Sequence, residues 1–102
     1  MSVKTLTNGL REYHGETKNN QPHGSGMMID RSKVPIMCFQ GNFQNGLMHG
    51  KGTLSFIEGD AVVGTIQGNW KNNEYDGVMT ATHKNGETMT LEFKEGKEVN
   101  RT

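Results

Sequence analysis

The residues of this sequence that could do chemistry recur at similar intervals along the chain. Two short glycine motifs, Gly24-Ser-Gly26 and Gly50-Lys-Gly52, suggest a loop that binds phosphate, and a histidine precedes each of them. A phosphate-binding loop needs its glycines between a strand and a helix N-terminus, in a longer GxxxxGK[ST] or GxGxxG motif. The sequence indicates no helix and lacks both longer motifs. Recurrence of a structural block explains these glycines better than phosphate binding does.

The sequence supports metal binding and nucleophilic catalysis no better than it supports phosphate binding. His23, His49 and Asp76 occupy equivalent positions of the recurring block. Equivalent positions in adjacent two-strand units lie about 10 Å apart, too far to share one ion. We therefore expect His23 and His49 to form hydrogen bonds with the backbone near a turn. Cys38 lies in an apolar run, residues 34–39, where a buried and inert thiol is expected. The sequence predicts no catalytic residue, no metal and no cofactor, and hence no enzyme.

Length and charge restrict the class of protein. A chain of 102 residues corresponds to one domain, predicted here to span 1–102. The formal net charge is zero, which argues against a protein that grips nucleic acid and makes attraction to anionic membranes unfavourable. One cysteine, no apolar leader and no run approaching the roughly 20 apolar residues of a membrane span predict a soluble, cytoplasmic protein.

A block of similar residues recurs along the chain. Its copies begin at Tyr13, Phe39, Ile66 and Met89, with offsets of 26, 27 and 23 residues. Within each copy, apolar residues and glycines alternate with polar residues, a period of two that indicates β-strands. The pairs between strands predict turns because Gly and Asn tolerate positive φ; they are Asn19-Asn20, Asn45-Gly46, Asn72-Asn73 and Glu95-Gly96. The chain is thus predicted to be all-β, a meander of antiparallel strands from Val3 to about Phe93.

The run Phe39-x-Gly-x-Phe43-x-x-Gly46-x-x-His49-Gly50-x-Gly52 resembles the MORN repeat (membrane occupation and recognition nexus). The resemblance covers three units and a truncated fourth, which keeps Phe93 and lacks its second arm. It implies an elongated, curved single antiparallel sheet of stacked β-hairpins. It also implies a role in protein contacts, scaffolding or membrane association.

One face of the predicted sheet carries aromatic rings that could bind a partner. Its proposed binding residues are Tyr13, Phe39, Phe43, Phe56, Trp70 and Phe93. We expect five methionines to add to this side or its margins: Met28, Met37, Met48, Met79 and Met89. A thin sheet with no helix to cover it should leave an apolar patch exposed, and such patches mark interfaces. The alternative is that the rings pack fully against one another within the curved sheet.

Two hairpins of the predicted meander are longer than the third. Their tips should lie near Asp30–Lys33 and Glu58–Ala61, and equivalent turns should project from the same edge of the sheet. Together they would form a small charged lip; its residues are Asp30, Arg31, Lys33, Glu58 and Asp60.

The favoured function is a non-catalytic interaction or scaffold module that binds a protein partner, or a second copy as a homodimer, through the aromatic face. A small enzyme or ligand-binding protein that uses the cleft of the curved sheet is the alternative. A peripheral membrane module is a third possibility. Both ends of the sheet, near Val3 and Glu92, present edge strands that need a partner, a twist or charges to stay soluble.

Overall fold

The computed structural model describes residues 2–99, which form one open antiparallel sheet. Nine strands follow one another in chain order across it. They are β1 (Ser2–Asn8), β2 (Arg11–Lys18), β3 (Gln21–Asp30), β4 (Ile36–Gln44), β5 (Leu47–Glu58), β6 (Ala61–Lys71), β7 (Glu74–His83), β8 (Thr88–Lys94) and β9 (Lys97–Glu98). The all-β meander is confirmed. Met1 and residues 100–102 of the predicted domain lie outside the described residues.

The turns form where the asparagine and glycine pairs predict them. Asn45 and Gly46 have φ values of 51° and 86°, and Asn72 and Asn73 have values of 50° and 70°. These left-handed conformations cost little in glycine and are tolerated by asparagine, whose short side chain can hydrogen-bond locally. The sequence thus sets the hairpin ends with ordinary turn chemistry.

A backbone hydrogen bond that recurs at these turns joins consecutive repeats. The Gly46 N–H donates to the Pro22 carbonyl at 2.9 Å, and the Asn73 N–H donates to the Met48 carbonyl at 3.0 Å. Asn73 adds a second bond, because its Oδ1 accepts the Met48 N–H at 2.8 Å. Each turn is therefore anchored on the strand of the preceding repeat, which fixes how the hairpins stack.

Most of the large apolar residues lie on one face of the sheet, called here the apolar face; Val3, Ile29, Cys38 and Val78 lie on the opposite face. The central row of the apolar face consists of successive cross-strand partners: Leu6, Tyr13, Met28, Phe39, Leu54, Ile66, Ala81 and Met89. The period of two predicts this face because any change of register by one residue would send these side chains to the other side. The five methionines predicted for this side or its margins lie on it.

Glycines form a second row beside the central one. Gly15 pairs with Gly26, and Gly41 pairs with Gly52. A Cβ atom on Gly26 would collide with the ring of Tyr13, and one on Gly52 would collide with the ring of Phe39. The rings therefore lie over bare backbone, as predicted, and the glycines are required by packing rather than by a ligand.

The molecule is long and thin, with extents of 45 × 31 × 18 Å. No described element forms a second layer over the apolar face. The core consists of side chains within that face, and its buried members are Tyr13, Thr17, Phe39, Phe43, Leu54, Trp70 and Met79.

Replacing Gly52 with alanine should destabilise the fold because the new methyl group would occupy the position of the Phe39 ring. We expect the free energy of unfolding to fall by about 1–3 kcal/mol, as for other overpacked sites. Chemical denaturation measures the change. Gly64→Ala is the matched control, since a Cβ there meets only the Thr82 carbonyl oxygen at 3.4 Å. Equal losses in the two variants would contradict the packing role of Gly52.

Candidate functional site

A continuous ladder of aromatic rings runs along the apolar face. Adjacent ring centroids are 4.8–5.3 Å apart, and the rings meet edge to face or at a tilt. In order, the ladder consists of Tyr13, Phe43, Phe39, Trp70, Tyr75 and Phe93. Aromatic pairs in such arrangements stabilise by about 0.5–1.5 kcal/mol beyond the area that they bury. The ladder therefore links strands from β2 to β8 into one packed unit.

Two polar groups of the ladder donate hydrogen bonds to backbone carbonyls. The Tyr13 hydroxyl donates to the Glu16 carbonyl at 2.6 Å, and the Trp70 Nε1–H donates to the Gly52 carbonyl at 3.1 Å. Burial raises the pKa of Tyr13, and the nearby Glu16 carboxylate raises it further. These bonds fix the ring orientations, so the rings serve the fold and are not reacting groups.

Most of the predicted binding rings have little surface left for a partner. Tyr13, Phe39, Phe43 and Trp70 are only 2–3% exposed. Phe56 is half-buried, as is Phe93. Four of the six rings predicted to bind a partner are therefore packed against one another within the sheet, as the alternative interpretation expected. The accessible part of the face lies along its margin.

That margin contains an apolar groove of about 400 Å³ between β5 and β8. Phe56, Ile66, Ala81 and Met89 form its apolar lining, and Met89 is 60% exposed. His83 and Glu87 lie at its polar border. These residues are called the apolar groove below. Because Phe56 and Met89 were assigned to the aromatic side from sequence, the groove falls on the predicted face.

Sequence reasoning missed two members of the core, Tyr75 and Leu54. Tyr75 connects Trp70 to Phe93 in the ladder, with centroid distances of 4.9 and 4.8 Å. It occupies the repeat position of Met48, directly before the residue pair that ends in Gly77. That equivalence could have identified it. Leu54 is 4% exposed between the rings.

The turns that make up the predicted lip project from one edge of the sheet, as expected from the meander. Two of its charges are engaged within the protein. Asp30 accepts hydrogen bonds from Arg11 and Ser32, and Arg31 donates to Glu12 at 2.8 Å. Lys33, Glu58 and Asp60 are exposed. Of the five lip residues, these three therefore remain available as a charged rim.

The other face of the sheet brings together three groups whose types could do chemistry. The His14 Nε2–H donates to the Glu12 carboxylate at 2.8 Å, and the Thr5 hydroxyl donates to His14 Nδ1 at 3.1 Å. This hydroxyl–imidazole–carboxylate order resembles the arrangement of a nucleophile, a base and an orienting acid. The predicted meander places β1 beside β2, but no sequence motif indicated that these three side chains meet.

The surroundings of this group do not favour catalysis. Thr5 and His14 line none of five well-formed grooves among residues 2–99, although Glu12 lines one of them. A hydrolase needs a concave site that holds the reacting carbonyl beside the nucleophile. Glu12 also binds Arg31, and the hydrogen bonds from His14 and Arg31 hold the pKa of Glu12 below its usual range. The cluster thus ties β1, β2 and the β3–β4 loop together.

The other candidate residues are distributed without a common centre. His23 Nδ1 accepts the Asn45 N–H at 3.3 Å, which confirms its predicted role near a turn, whereas His49 Nδ1 is buried and has no partner among residues 2–99. Cys38 is half-buried, and burial raises the pKa of its thiol. The described part of the chain holds no group of three or more His, Cys, Asp or Glu side chains that could bind a metal ion.

Comparison with known proteins identifies the repeat. The family model of the MORN repeat matches three stretches, 13–32, 39–61 and 67–78, which together make up more than half of the chain. These stretches contain every ring of the aromatic ladder except that of Phe93. No curated protein matches the chain. In residues 2–99, no helix has the length and hydrophobicity needed to cross a membrane.

The Glu12 cluster predicts a pH-dependent contribution to stability. Because the pKa of Glu12 is lower in the folded state than in the unfolded chain, the contribution is present above about pH 4.5 and is lost as the pH falls through the folded-state value. Glu12→Gln should therefore lower the urea midpoint at pH 7, and the decrease should be smaller at pH 3, which lies below the ordinary pKa of the carboxyl group. Glu58→Gln, at an exposed position, is the control. A Glu12→Gln effect that is the same at both pH values would contradict the ion-pair role.

Proposed function

The chain belongs to the MORN-repeat family, and on this premise we propose that it is a non-catalytic interaction module that binds a protein partner through its apolar groove. MORN repeats are generally associated with scaffolds for protein and membrane interaction and are generally non-catalytic. The family match supports the class of function. The apolar groove is the observation that supports where on the molecule the partner binds.

The groove has the composition expected of an interaction surface. It combines a flexible thioether, an aromatic ring and an aliphatic side chain, from Met89, Phe56 and Ile66. Methionine adapts to varied partners because it has three rotatable bonds and a polarizable sulfur. Removing apolar surface from water contributes roughly 25 cal/mol per Å², which the entropy lost on association partly offsets. A segment that presents apolar side chains, with polar groups towards His83 and Glu87, would fit it.

Charge and composition restrict the setting of this interaction. A net charge of zero provides no general attraction to nucleic acid or to anionic lipid. We therefore propose a protein partner rather than either of these. The single cysteine is compatible with a reducing compartment, and we propose the cytoplasm on that ground.

Met89→Asp should abolish partner capture because it places a charge on the apolar wall of the groove. The variant should keep its thermal stability, since Met89 is 60% exposed. Cross-linking capture from the native cell, compared by quantitative mass spectrometry, measures the loss. Thr80→Asp is the matched control, because Thr80 is exposed on β7 on the opposite face. If wild type, Met89→Asp and Thr80→Asp capture the same partners, the proposal that the apolar groove binds the partner is wrong.

The same comparison separates a partner from self-association through this face. A face-to-face homodimer would bury Met89 in both copies, so Met89→Asp would convert a wild-type dimer into a monomer. Light scattering at several concentrations reports the mass. A wild-type mass that does not respond to Met89→Asp excludes the groove as a dimer interface.

The exposed charges of the lip supply a second test of partner binding. Replacing Lys33, Glu58 and Asp60 with alanine removes the charged rim without touching the ladder. If the lip contributes, the partner should bind more weakly and the salt dependence of binding should decrease, because exposed charges are screened by salt. Lys51→Ala, at an exposed position on the opposite face, is the control. Unchanged binding of the triple variant would exclude the lip.

A further inference from the structure

One glycine on the apolar face has no side chain packed over it. The strand glycines without a positive φ are Gly26, Gly41, Gly52 and Gly64. On the first three, a Cβ atom would meet the ring of Tyr13 or of Phe39. On Gly64, it would meet only the Thr82 carbonyl oxygen, at 3.4 Å. Gly64 therefore has open space above it at the place where the other three glycines have a ring.

The register of the sheet places Gly64 between two larger side chains. Its cross-strand partners are Phe56 on β5 and His83 on β7. All three residues lie two positions from the central apolar row, so they belong to the apolar face. Neighbouring strands are about 4.8 Å apart, so the backbones of Phe56 and His83 are roughly 10 Å apart with Gly64 between them. These three residues are called the ring slot below.

The ring slot joins the apolar groove to a second groove. The three residues of the slot line both of them, and Pro35 and Val63 add apolar surface to the second groove, which has a volume of about 430 Å³. Each groove has the size of an ordinary binding pocket, roughly 300–1,000 Å³. A segment that crosses the slot would therefore contact apolar surface on both sides of it.

The spacing of the slot matches the spacing of the aromatic ladder. Adjacent rings of the ladder have their centroids 4.8–5.3 Å apart. A ring placed over Gly64 would lie one strand spacing from Phe56, about 4.8 Å, which is within the range of about 4.5–7 Å that aromatic pairs prefer. An aliphatic side chain in the same place would be buried without gaining this ring contact. The slot therefore favours an aromatic group.

The two borders of the slot differ in charge. On the side of the apolar groove, Glu87 is exposed and forms no ion pair within the described part of the chain. Its backbone is held in place, because the His83 N–H donates to the Glu87 carbonyl at 2.8 Å and the Glu87 N–H donates to Asn85 Oδ1 at 2.9 Å. On the other side, Glu58 and Lys84 both line the second groove, so their charges balance. A basic side chain of a partner would therefore be favoured beside Glu87.

We propose that the ring slot binds an aromatic side chain of the protein partner, with a basic residue next to it in the partner directed towards Glu87. This proposal rests on the proposed function and names the chemistry of the segment that the apolar groove would bind. The partner's ring would pack over Gly64 in the way that the ring of Phe39 packs over Gly52. Binding then uses the same contact that forms the core of the sheet.

Gly64→Val tests the slot because the fold has room for a side chain there, and that side chain would occupy the place of the partner's ring. Its thermal stability should equal or exceed that of wild type, since glycine is unfavourable within a strand and valine suits one. Gly64→Ala fills the slot less and should have a smaller effect on binding. Gln67→Val is the matched control, because Gln67 is exposed on the same strand and lies on the opposite face.

Three tetrapeptides with blocked termini serve as probes. Ala-Phe-Lys-Ala carries the ring and the basic residue, Ala-Leu-Lys-Ala lacks the ring, and Ala-Phe-Glu-Ala reverses the charge. Chemical-shift changes of the Phe56 and His83 amides during a titration give the affinity. Wild type should bind the first peptide at least about threefold more tightly than either of the others. Gly64→Val should bind it at least about tenfold more weakly than wild type, and Gln67→Val should bind it like wild type.

Several results of these titrations would overturn the proposal. Wild type that shows no shift changes up to millimolar peptide does so, as does equal affinity for the phenylalanine and leucine peptides. Unchanged affinity in Gly64→Val also does so. The charge is tested separately by Glu87→Gln, which should bind the lysine and glutamate peptides equally well. A preference for the lysine peptide that survives in Glu87→Gln would show that Glu87 is not the group that selects the basic residue.

Partner capture from the native cell distinguishes failure of the ring slot from failure of the proposed function. If Met89→Asp abolishes capture and Gly64→Val leaves it unchanged, the ring slot is wrong and the apolar groove still binds the partner. Capture that is lost in both variants supports both proposals. Capture that is unchanged in both variants contradicts both.

Discussion

The packing of aromatic rings over glycine backbone is the constraint on which the rest of this structure depends. A single sheet has no second layer to cover its apolar side, so its core must form from side chains that lie flat along the strands. Tyr13 and Phe39 do so because Gly26 and Gly52 leave the neighbouring strands bare. The edge-to-face contacts then join each ring to the next. Glycine is costly in a strand, and here ring burial offsets that cost.

This kind of core determines where function can be located. The best-packed rings are inaccessible, so the proposed binding of a partner must use positions where the ladder is incomplete. On β7 the central row carries Ala81, and on β8 it carries Met89 at the end of the sheet. The small alanine and the unpartnered edge together leave the apolar groove. Among residues 2–99, no strand pairs with the outer edge of β1, whereas β9 covers part of the outer edge of β8.

The sequence predicted the fold well because one physical pattern, period-two alternation with Asn and Gly at the turns, repeats in every unit. It predicted the side on which Phe56 and Met89 lie. It could not predict how much of each ring is exposed, since the exposure of Phe43 depends on Tyr13 and Phe39 from other strands. The ion pairs of Asp30 and Arg31 were also hidden. That of Asp30 with Arg11 depends on the register of β2 and β3, and that of Arg31 with Glu12 depends on how the β3–β4 loop packs against β2. The Thr5–His14–Glu12 cluster was missed for the same reason: register, not spacing in the chain, brings its members together.

Nuclear Overhauser effects between aromatic ring protons and glycine Hα protons test the central claim most directly. If the rings lie over the glycine row, strong effects should join Phe39 to Gly52 and Tyr13 to Gly26. The turn glycine Gly9, which has no atom within 4 Å of a Cβ position, should show none with any ring. Rings that show no effect to Gly26 or Gly52 would contradict the account, because the core would then be held by some other packing.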